Sequence, residues 1–246
     1  MIFVLKLDME KINSYSPDPK IIKTLAKISP LLLVGPAGAG KDTIKRQLIS
    51  SSDSYAPIVT YTTRKPRNNN GRMEIDGVDY HFISEARAIE LMNDKKFIEL
   101  AVKHGNLYGS GLDEMLQYLD GGIMPVIDID IQGVERYKKY FPLSIAIFLL
   151  PPNFKVMKSR LLQRYGHSEI NSEIVTRFNT TLIELETLVA DDFYYPIIND
   201  DLTTTTEEIK KVLSTKSHNL TFEKQAYDLA HAMIEDIKVE LESLEQ

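Results

Sequence analysis

The chain has 246 residues, of which 43% are hydrophobic and 26% charged, with a formal net charge of −6. That length and balance fit one sizeable α/β domain with insertions; the acidity excludes general nucleic-acid affinity, so any anion site has to be a local cluster of lysine and arginine. Cysteine is absent, which excludes disulfides and thiolate metal sites and suits a reducing cytoplasm.

The N-terminal MIFVLKL is followed at once by DMEKINSYSPDPK. It lacks the long apolar core and small-residue cleavage site of a signal peptide, and no run reaches the roughly 20 apolar residues of a membrane helix. A cytoplasmic protein without membrane association is expected. Residues 1–29 read as an appendage, with a breaker at SPDP and a helix near 19–28. Leu31–Val34 is a short apolar run between Pro30 and Gly35, the pattern of a buried strand, and KDTIKRQLI then shows helical spacing. Further on, GIMPVIDIDI (122–131), LSIAIFLL (143–150) and YYPIIN (194–199) are short and apolar on both faces, with helical segments between them. That alternation predicts an α/β fold, a mainly parallel sheet flanked by helices.

Residues 61–111 differ. Alternating VDYHFI and FIELAV, a helix near 85–95 and GNLYGSG read as a turn predict a small mixed insertion with its own strands. Residues 155–187 are helical and carry arginines, with a polar break at YGHSEIN. In the last segment Phe222, Ala226, Ala230, Met233, Ile237, Leu241 and Leu244 share one helical stripe. That stripe has to be buried; packing on the core is expected, with a homodimer as the alternative. The NLT sequon at 219–221 has no consequence in a cytoplasmic protein.

Between the first strand and its helix lies GPAGAGKDT: Gly35, Pro36, Ala37, Gly38, Ala39, Gly40, Lys41, Asp42 and Thr43. Glycines let backbone N–H groups converge on phosphate oxygens at a helix N-terminus, and Lys41 is spaced to reach the β- and γ-phosphates of a nucleotide. The usual pattern places Ser or Thr after the lysine, where its hydroxyl meets Mg²⁺. Here the residue is Asp42. A carboxylate beside triphosphate is repelled unless Mg²⁺ lies between them, and Mg²⁺ accepts carboxylate oxygen readily. Asp42 is therefore expected to face the metal, directly or through water.

A second basic site lies in VTYTTRKPRNNNGRMEIDGVDYHF (59–82). Arg64 and Arg67 stand three apart across a proline that keeps the backbone extended, so both guanidinium groups can serve one anion. Behind GPAGAGK come YTTRKPR, DGVDYHF, FIEL, GNLYGS, DIDIQG and INDDL, in that order. Over residues 31–213 this string resembles the guanylate kinases, P-loop nucleoside monophosphate kinases. The resemblance implies a P-loop core, a GMP-binding insertion (61–111) and a helical lid (155–187) within a domain of residues 30–213. Appendages at 1–29 and 214–246 flank it.

It further implies transfer of the γ-phosphoryl of ATP to GMP, and to dGMP, with Mg²⁺ and without nucleic-acid partners. Thr60, Arg64, Arg67, Tyr80 and Tyr108 would hold the GMP phosphate and its surroundings, and Glu74 would support the arginines or contact the nucleotide. Glu99, Ser110 and Asp130 would read guanine, and Asp128 would organise Mg²⁺ together with Asp42. Lys41, Arg67, Arg164 and Arg177 would stabilise the transferring phosphoryl, with Asn199 on the adenine side.

The chemistry of the base fits that mapping. Guanine offers two donors, N1–H and the 2-amine, beside the O6 acceptor; the Glu99 carboxylate can accept from both donors and the Ser110 hydroxyl can donate to O6. Sites built on such hydrogen bonds reject a mispaired base by on the order of 10⁴-fold. Three departures qualify the match: Asp42, a longer loop at 68–73, and a longer stretch from Arg164 to Arg177. A guanylate-kinase-like interaction module is the rival from another class, but the phosphate loop argues against it. A P-loop kinase for another acceptor would leave Glu99 and YGS unexplained.

Overall fold

The structure, a computed structural model, describes residues 9–69, 72–103, 105–120, 122–217 and 220–244. The N-terminal MIFVLKL, the middle of the 68–73 loop and Asn219 of the sequon lie outside them. In chain order come helices α1 (Met9–Asn13) and α2 (Pro19–Leu25), strand β1 (Leu31–Val34) and helix α3 (Lys41–Ser51). Strands β2 (Tyr55–Pro57), β3 (Tyr61–Thr62), β4 (Asn68–Asn69), β5 (Arg72–Met73) and β6 (His81–Phe82) follow. Next are α4 (Glu85–Asn93), β7 (Phe97–Lys103), β8 (Asn106–Gly111), α5 (Leu112–Leu116), β9 (Met124–Asp128), α6 (Ile131–Tyr140) and β10 (Ile145–Leu150). The chain continues through α7 (Phe154–Tyr165), α8 (Ser172–Ala190), β11 (Tyr194–Ile198), α9 (Leu202–Thr215) and α10 (Leu220–Leu244).

The main sheet has the strand order β11-β10-β1-β9-β2, and β10 pairs in parallel with both β1 and β11. Every residue of β1 and β10 is buried. A parallel strand covered by helices on both faces has no wet side, which is why these runs read as continuously apolar. The chain divides into two compact units. One comprises Leu31–Tyr55, Asp128–Val134 and Ile145–Gln246; the other comprises Met1–Pro30, Ala56–Ile127 and Glu135–Ser144.

In the first unit, α10 packs against α7, α8 and β11. Ala226, Ala230, Met233 and Ile237 of its stripe are buried, joined by Ile234, while Phe222 and Leu244 at the ends remain exposed. Burying Met233 and Ile237 contributes on the order of 1.5–3 kcal/mol each. The small Ala226 and Ala230 let the helix lie close to its neighbours. Lys158 Nζ and Glu240 Oε1, 2.6 Å apart, add an ion pair between α7 and α10. The last helix is thus seated on the unit's core.

In the second unit a four-stranded sheet runs β6-β3-β8-β7, with β8 antiparallel to both β3 and β7. Helix α4, capped by the Ser84 hydroxyl on Arg87 N–H, supplies Ala88 and Met92 to a core shared with Phe97, Leu100 and Leu107. Ile12 of α1 enters the same cluster. Strand β7 is at the edge of this sheet, and Tyr15 covers it: its hydroxyl donates to the Phe97 carbonyl at 2.6 Å and accepts from the Phe97 N–H at 3.0 Å. An edge that would otherwise offer unpaired backbone groups is closed at this point.

GNLYGSG corrects the sequence reading. Gly105, with φ +76°, belongs to the turn, while Asn106–Gly111 is strand β8. The glycines in that strand serve packing: a side chain at Gly109 would strike Leu100 and Phe97, and one at Gly111 the Tyr61 ring. Glycine marks close approach inside a strand as well as turns.

Candidate active site

The turn from β1 to α3 begins with Gly35 at φ +130°, where a Cβ would collide with the Leu149 carbonyl of β10. Gly40, at φ +92°, is the N-cap of α3, and its carbonyl accepts from the Thr43 and Ile44 N–H groups, both at 3.1 Å. Lys41 Nζ donates to the carbonyls of Gly35 (2.6 Å) and Pro36 (3.3 Å), so the ammonium is held over the turn. Asn199, buried just after β11, donates its amide to the Ala39 carbonyl at 2.7 Å. On the other flank Arg160 of α7 donates to the Gly38 carbonyl at 2.9 Å. Two side chains distant in sequence therefore brace a loop whose N–H groups open at a helix N-terminus, a geometry suited to phosphate.

Asp42, in the first turn of α3, is exposed, and Asp128 ends β9 half-buried. Among the described residues no three His, Cys, Asp or Glu side chains form a metal-binding group. Asp130 is turned to its own helix: its Oδ1 accepts from Gly133 N–H at 2.7 Å in the first turn of α6. On the helical pair α7 and α8, Arg164 is exposed, and the Arg177 guanidinium lies 5.2 Å from the centre of the Tyr165 ring.

The second unit holds an arginine–carboxylate cluster. Arg64 Nη1 donates to Glu74 Oε2 at 2.8 Å and Nη2 donates to Oε1 at 2.9 Å, a bidentate pair with both side chains 8% exposed. Arg64 Nε donates to the Tyr108 hydroxyl at 3.2 Å, and Nη1 also reaches the Lys65 carbonyl at 2.8 Å. Burial opposes the guanidinium's charge, but hydrogen bonds to Glu74 and Tyr108 outweigh it and raise its pKa. Of the five guanidinium N–H groups, these contacts occupy four and leave one for a ligand. Arg64 also lies 5.1 Å from the Tyr80 ring centre, and Tyr80 meets Tyr108 edge-on at 6.0 Å.

Glu74 is reached through the longer loop without loss of register. Strands β4 and β5 pair antiparallel, Asn68 with Met73 and Asn69 with Arg72, and just beyond them Glu74 N–H donates to the Arg67 carbonyl at 2.9 Å. Arg67 N–H in turn donates to Glu74 Oε2 at 2.8 Å, while the Arg67 side chain itself is exposed. Thr60, half-buried before β3, gives its carbonyl to His81 N–H at 2.9 Å.

On β7 and β8 the Glu99 carboxylate, 8% exposed, accepts from the fully buried Ser110 hydroxyl at 3.0 Å. A carboxylate acceptor and a hydroxyl that can donate or accept therefore stand together.

Comparison with known proteins gives these two sites one context. A family model described as guanylate kinase matches residues 27–216. The chain belongs to the guanylate kinase family. A guanylate kinase of Clostridioides difficile (strain 630) is 33% identical over 211 residues, covering 86% of this chain and 96% of that relative. One from Thiobacillus denitrificans is 34% identical over 194 residues, covering 79% and 88%. The crystal structure of guanylate kinase from Anaplasma phagocytophilum matches with a TM-score of 0.59 at 24% identity, covering 78% of this chain and 87% of that one, and supports the fold.

Sequence reasoning missed two arginines of this guanylate kinase family member. Arg160 stands four residues before Arg164, one helical turn away on the same face, and that spacing was its signal. Arg136, one residue before Tyr137 on α6, had none: its Nη1 lies 3.5 Å from Glu99 Oε2 and donates to the Leu100 carbonyl. Asn199, expected on the adenine side, donates its amide to the loop backbone. No described helix is long and apolar enough to cross a membrane.

Proposed function

We propose that the chain is an ATP:GMP phosphotransferase, moving the γ-phosphoryl of ATP to GMP or dGMP to give ADP and GDP or dGDP. The observation that carries this reading is the buried Glu99–Ser110 pair in a guanylate kinase family member that also keeps a braced phosphate loop. The ATP phosphates lie in the Gly35–Thr43 loop at the start of α3, on backbone N–H groups other than those of Ala39 and Thr43, which donate to the Pro36 and Gly40 carbonyls, with Lys41 as their cation. Arg64, through its remaining N–H, holds the GMP phosphate with Arg67, Tyr80, Tyr108 and Thr60. Glu74 acts by fixing the two arginines. Glu99 accepts from guanine N1–H and the 2-amine, and Ser110 turns its proton to O6; Asp130, expected to read the base as well, caps α6 through Oδ1.

A phosphate oxygen of GMP attacks the γ-phosphorus as the bond to the β,γ-bridging oxygen breaks. Catalysis of this step is positioning and charge compensation, with no nucleophilic side chain. Lys41, Arg67, Arg160, Arg164 and Arg177 supply the protein's positive charge, and the helices of 155–187 act as the lid over the nucleotide. Mg²⁺ usually enters kinase sites on substrate phosphates with only one or two carboxylates, so the sparse acidic set fits it. Asp42 and Asp128 would hold it, directly or through water. When bound, it neutralises charge on the β- and γ-phosphates. Asn199 serves ATP by holding the loop.

Glu99→Gln tests the assignment of the base site. The amide accepts only through its oxygen, so the discrimination between GMP and AMP should shrink by about 1–3 kcal/mol, by analogy with a bidentate base contact. An unchanged ratio of kcat/KM for GMP over AMP would contradict the role of Glu99.

A further inference from the structure

Glu99 is held from two sides. Ser110 reaches Oε1 at 3.0 Å from β8, while Arg136 places Nη1 3.5 Å from Oε2 from α6. The same Nη1 donates to the Leu100 carbonyl, the backbone group next to Glu99 on β7. Arg136 thus grips the carboxylate and the strand that carries it, fixing both the charge and its direction. Behind the pair lies Tyr137, fully buried and stacked on Phe141 with ring centres 5.0 Å apart. Burial first, and the charge of Glu99 second, push the Tyr137 phenol well above its ordinary pKa, so it stays neutral there. Arg136 brings a positive charge to the Oε2 side of the base-reading carboxylate.

We propose that Arg136 is a positioning residue for nucleobase selection: it orients Glu99 so that the carboxylate edge faces the N1–H and 2-amine of guanine. This rests on the GMP kinase reading and deepens it. A carboxylate free to rotate, or turned toward solvent, would accept one donor well and the other poorly. Ser110 holds the carboxylate until its proton turns to guanine O6; the Arg136 guanidinium still holds it then, so the edge presented to the base stays fixed. The 2-amine is the group whose recognition suffers first when that edge turns. Hypoxanthine, which keeps N1–H and O6 but lacks this amine, is the matching probe. A merely structural role for Arg136 would affect GMP, IMP and ATP alike.

The test is steady-state kinetics of wild type, Arg136→Met and Arg136→Lys with ATP and either GMP or IMP. In Arg136→Met the KM for GMP should rise about two- to fivefold, the scale of a partly exposed ion pair at 3.5 Å. Its preference for GMP over IMP should fall by a similar factor. The KM for ATP and kcat at saturating GMP should stay within about twofold of wild type, since only binding of the base is altered. Arg136→Lys should recover part of the preference. An active Arg136→Met enzyme with an unchanged GMP/IMP ratio overturns the positioning role and leaves the GMP kinase reading standing. A parallel loss for GMP, IMP and ATP overturns the positioning role equally. Wild-type protein that forms no GDP overturns the kinase reading, and this inference with it.

Discussion

Removing Glu74 tests the arginine cluster through stability and GMP binding together. In Glu74→Ala, Arg64 loses both arms of its bidentate contact, at 2.8 and 2.9 Å, and Arg67 loses the acceptor for its N–H. Both partners are 8% exposed, so the guanidinium remains charged with little water to replace the carboxylate. Breaking a buried pair on one side costs about 3–5 kcal/mol. Arg64 keeps the Tyr108 hydroxyl and the Lys65 carbonyl, which places the expected loss near the lower end, about 3 kcal/mol. For a chain of this size that is a fall of about 6–12 °C in Tm.

Scanning calorimetry gives the Tm, and GMP titration of the same protein should show a higher KM for GMP with the KM for ATP unchanged. The double variant Arg64→Met/Glu74→Met leaves no orphan charge and should be less destabilised than Glu74→Ala. A Glu74→Ala Tm within about 2 °C of wild type would refute the reasoning, because the pair would then behave as a solvated surface contact.

Two further outcomes concern features outside the cluster. Tyr15→Phe should cost about 1–2 kcal/mol at neutral pH, since both backbone groups of Phe97 lose their partner. Burial, the leading cause, pushes the Tyr15 phenol up to about 12, above the ordinary 10.0. A raised folded-state pKa means stability that is present below pH 10 and lost as pH rises toward 12. The Tm gap between wild type and variant should therefore narrow across that window, and a constant gap would contradict the shift. Asp42→Ser should remain active but reach half-maximal rate at a different Mg²⁺ concentration; superimposable Mg²⁺ curves would make Asp42 a bystander.

What was legible in the sequence was local. Leu31–Val34, the glycine turn and the KDTIKRQLI helix are contiguous, so strand, loop and helix could be read directly, and Lys41 with them. Glu99 and Ser110 were joined through the family resemblance alone, and the structure sets them opposite each other on β7 and β8. Arg64 and Glu74 were legible as partners only in outline, because the extra residues at 68–73 obscured the register that the β4–β5 pairing restores. The remainder is tertiary. Asn199 braces a loop 160 residues earlier, Tyr15 closes a strand edge 82 residues later, and Arg136 reaches Glu99 from 37 residues away. No periodicity or spacing encodes such contacts. The misreading of GNLYGSG has a similar origin: its strand glycines are dictated by Leu100, Phe97 and Tyr61 packed above them.

The central claim is phosphoryl transfer from ATP to GMP, and ³¹P NMR of the reaction mixture tests it most directly. Purified protein is incubated with ATP, Mg²⁺ and, separately, GMP, AMP, CMP or UMP, with Lys41→Ala as the control. The expected result is GDP and ADP in equal amounts with GMP, little product with the other three, and turnover reduced at least about 100-fold in Lys41→Ala. Protein that binds GMP yet yields no GDP, or that phosphorylates AMP as fast as GMP, would contradict the account.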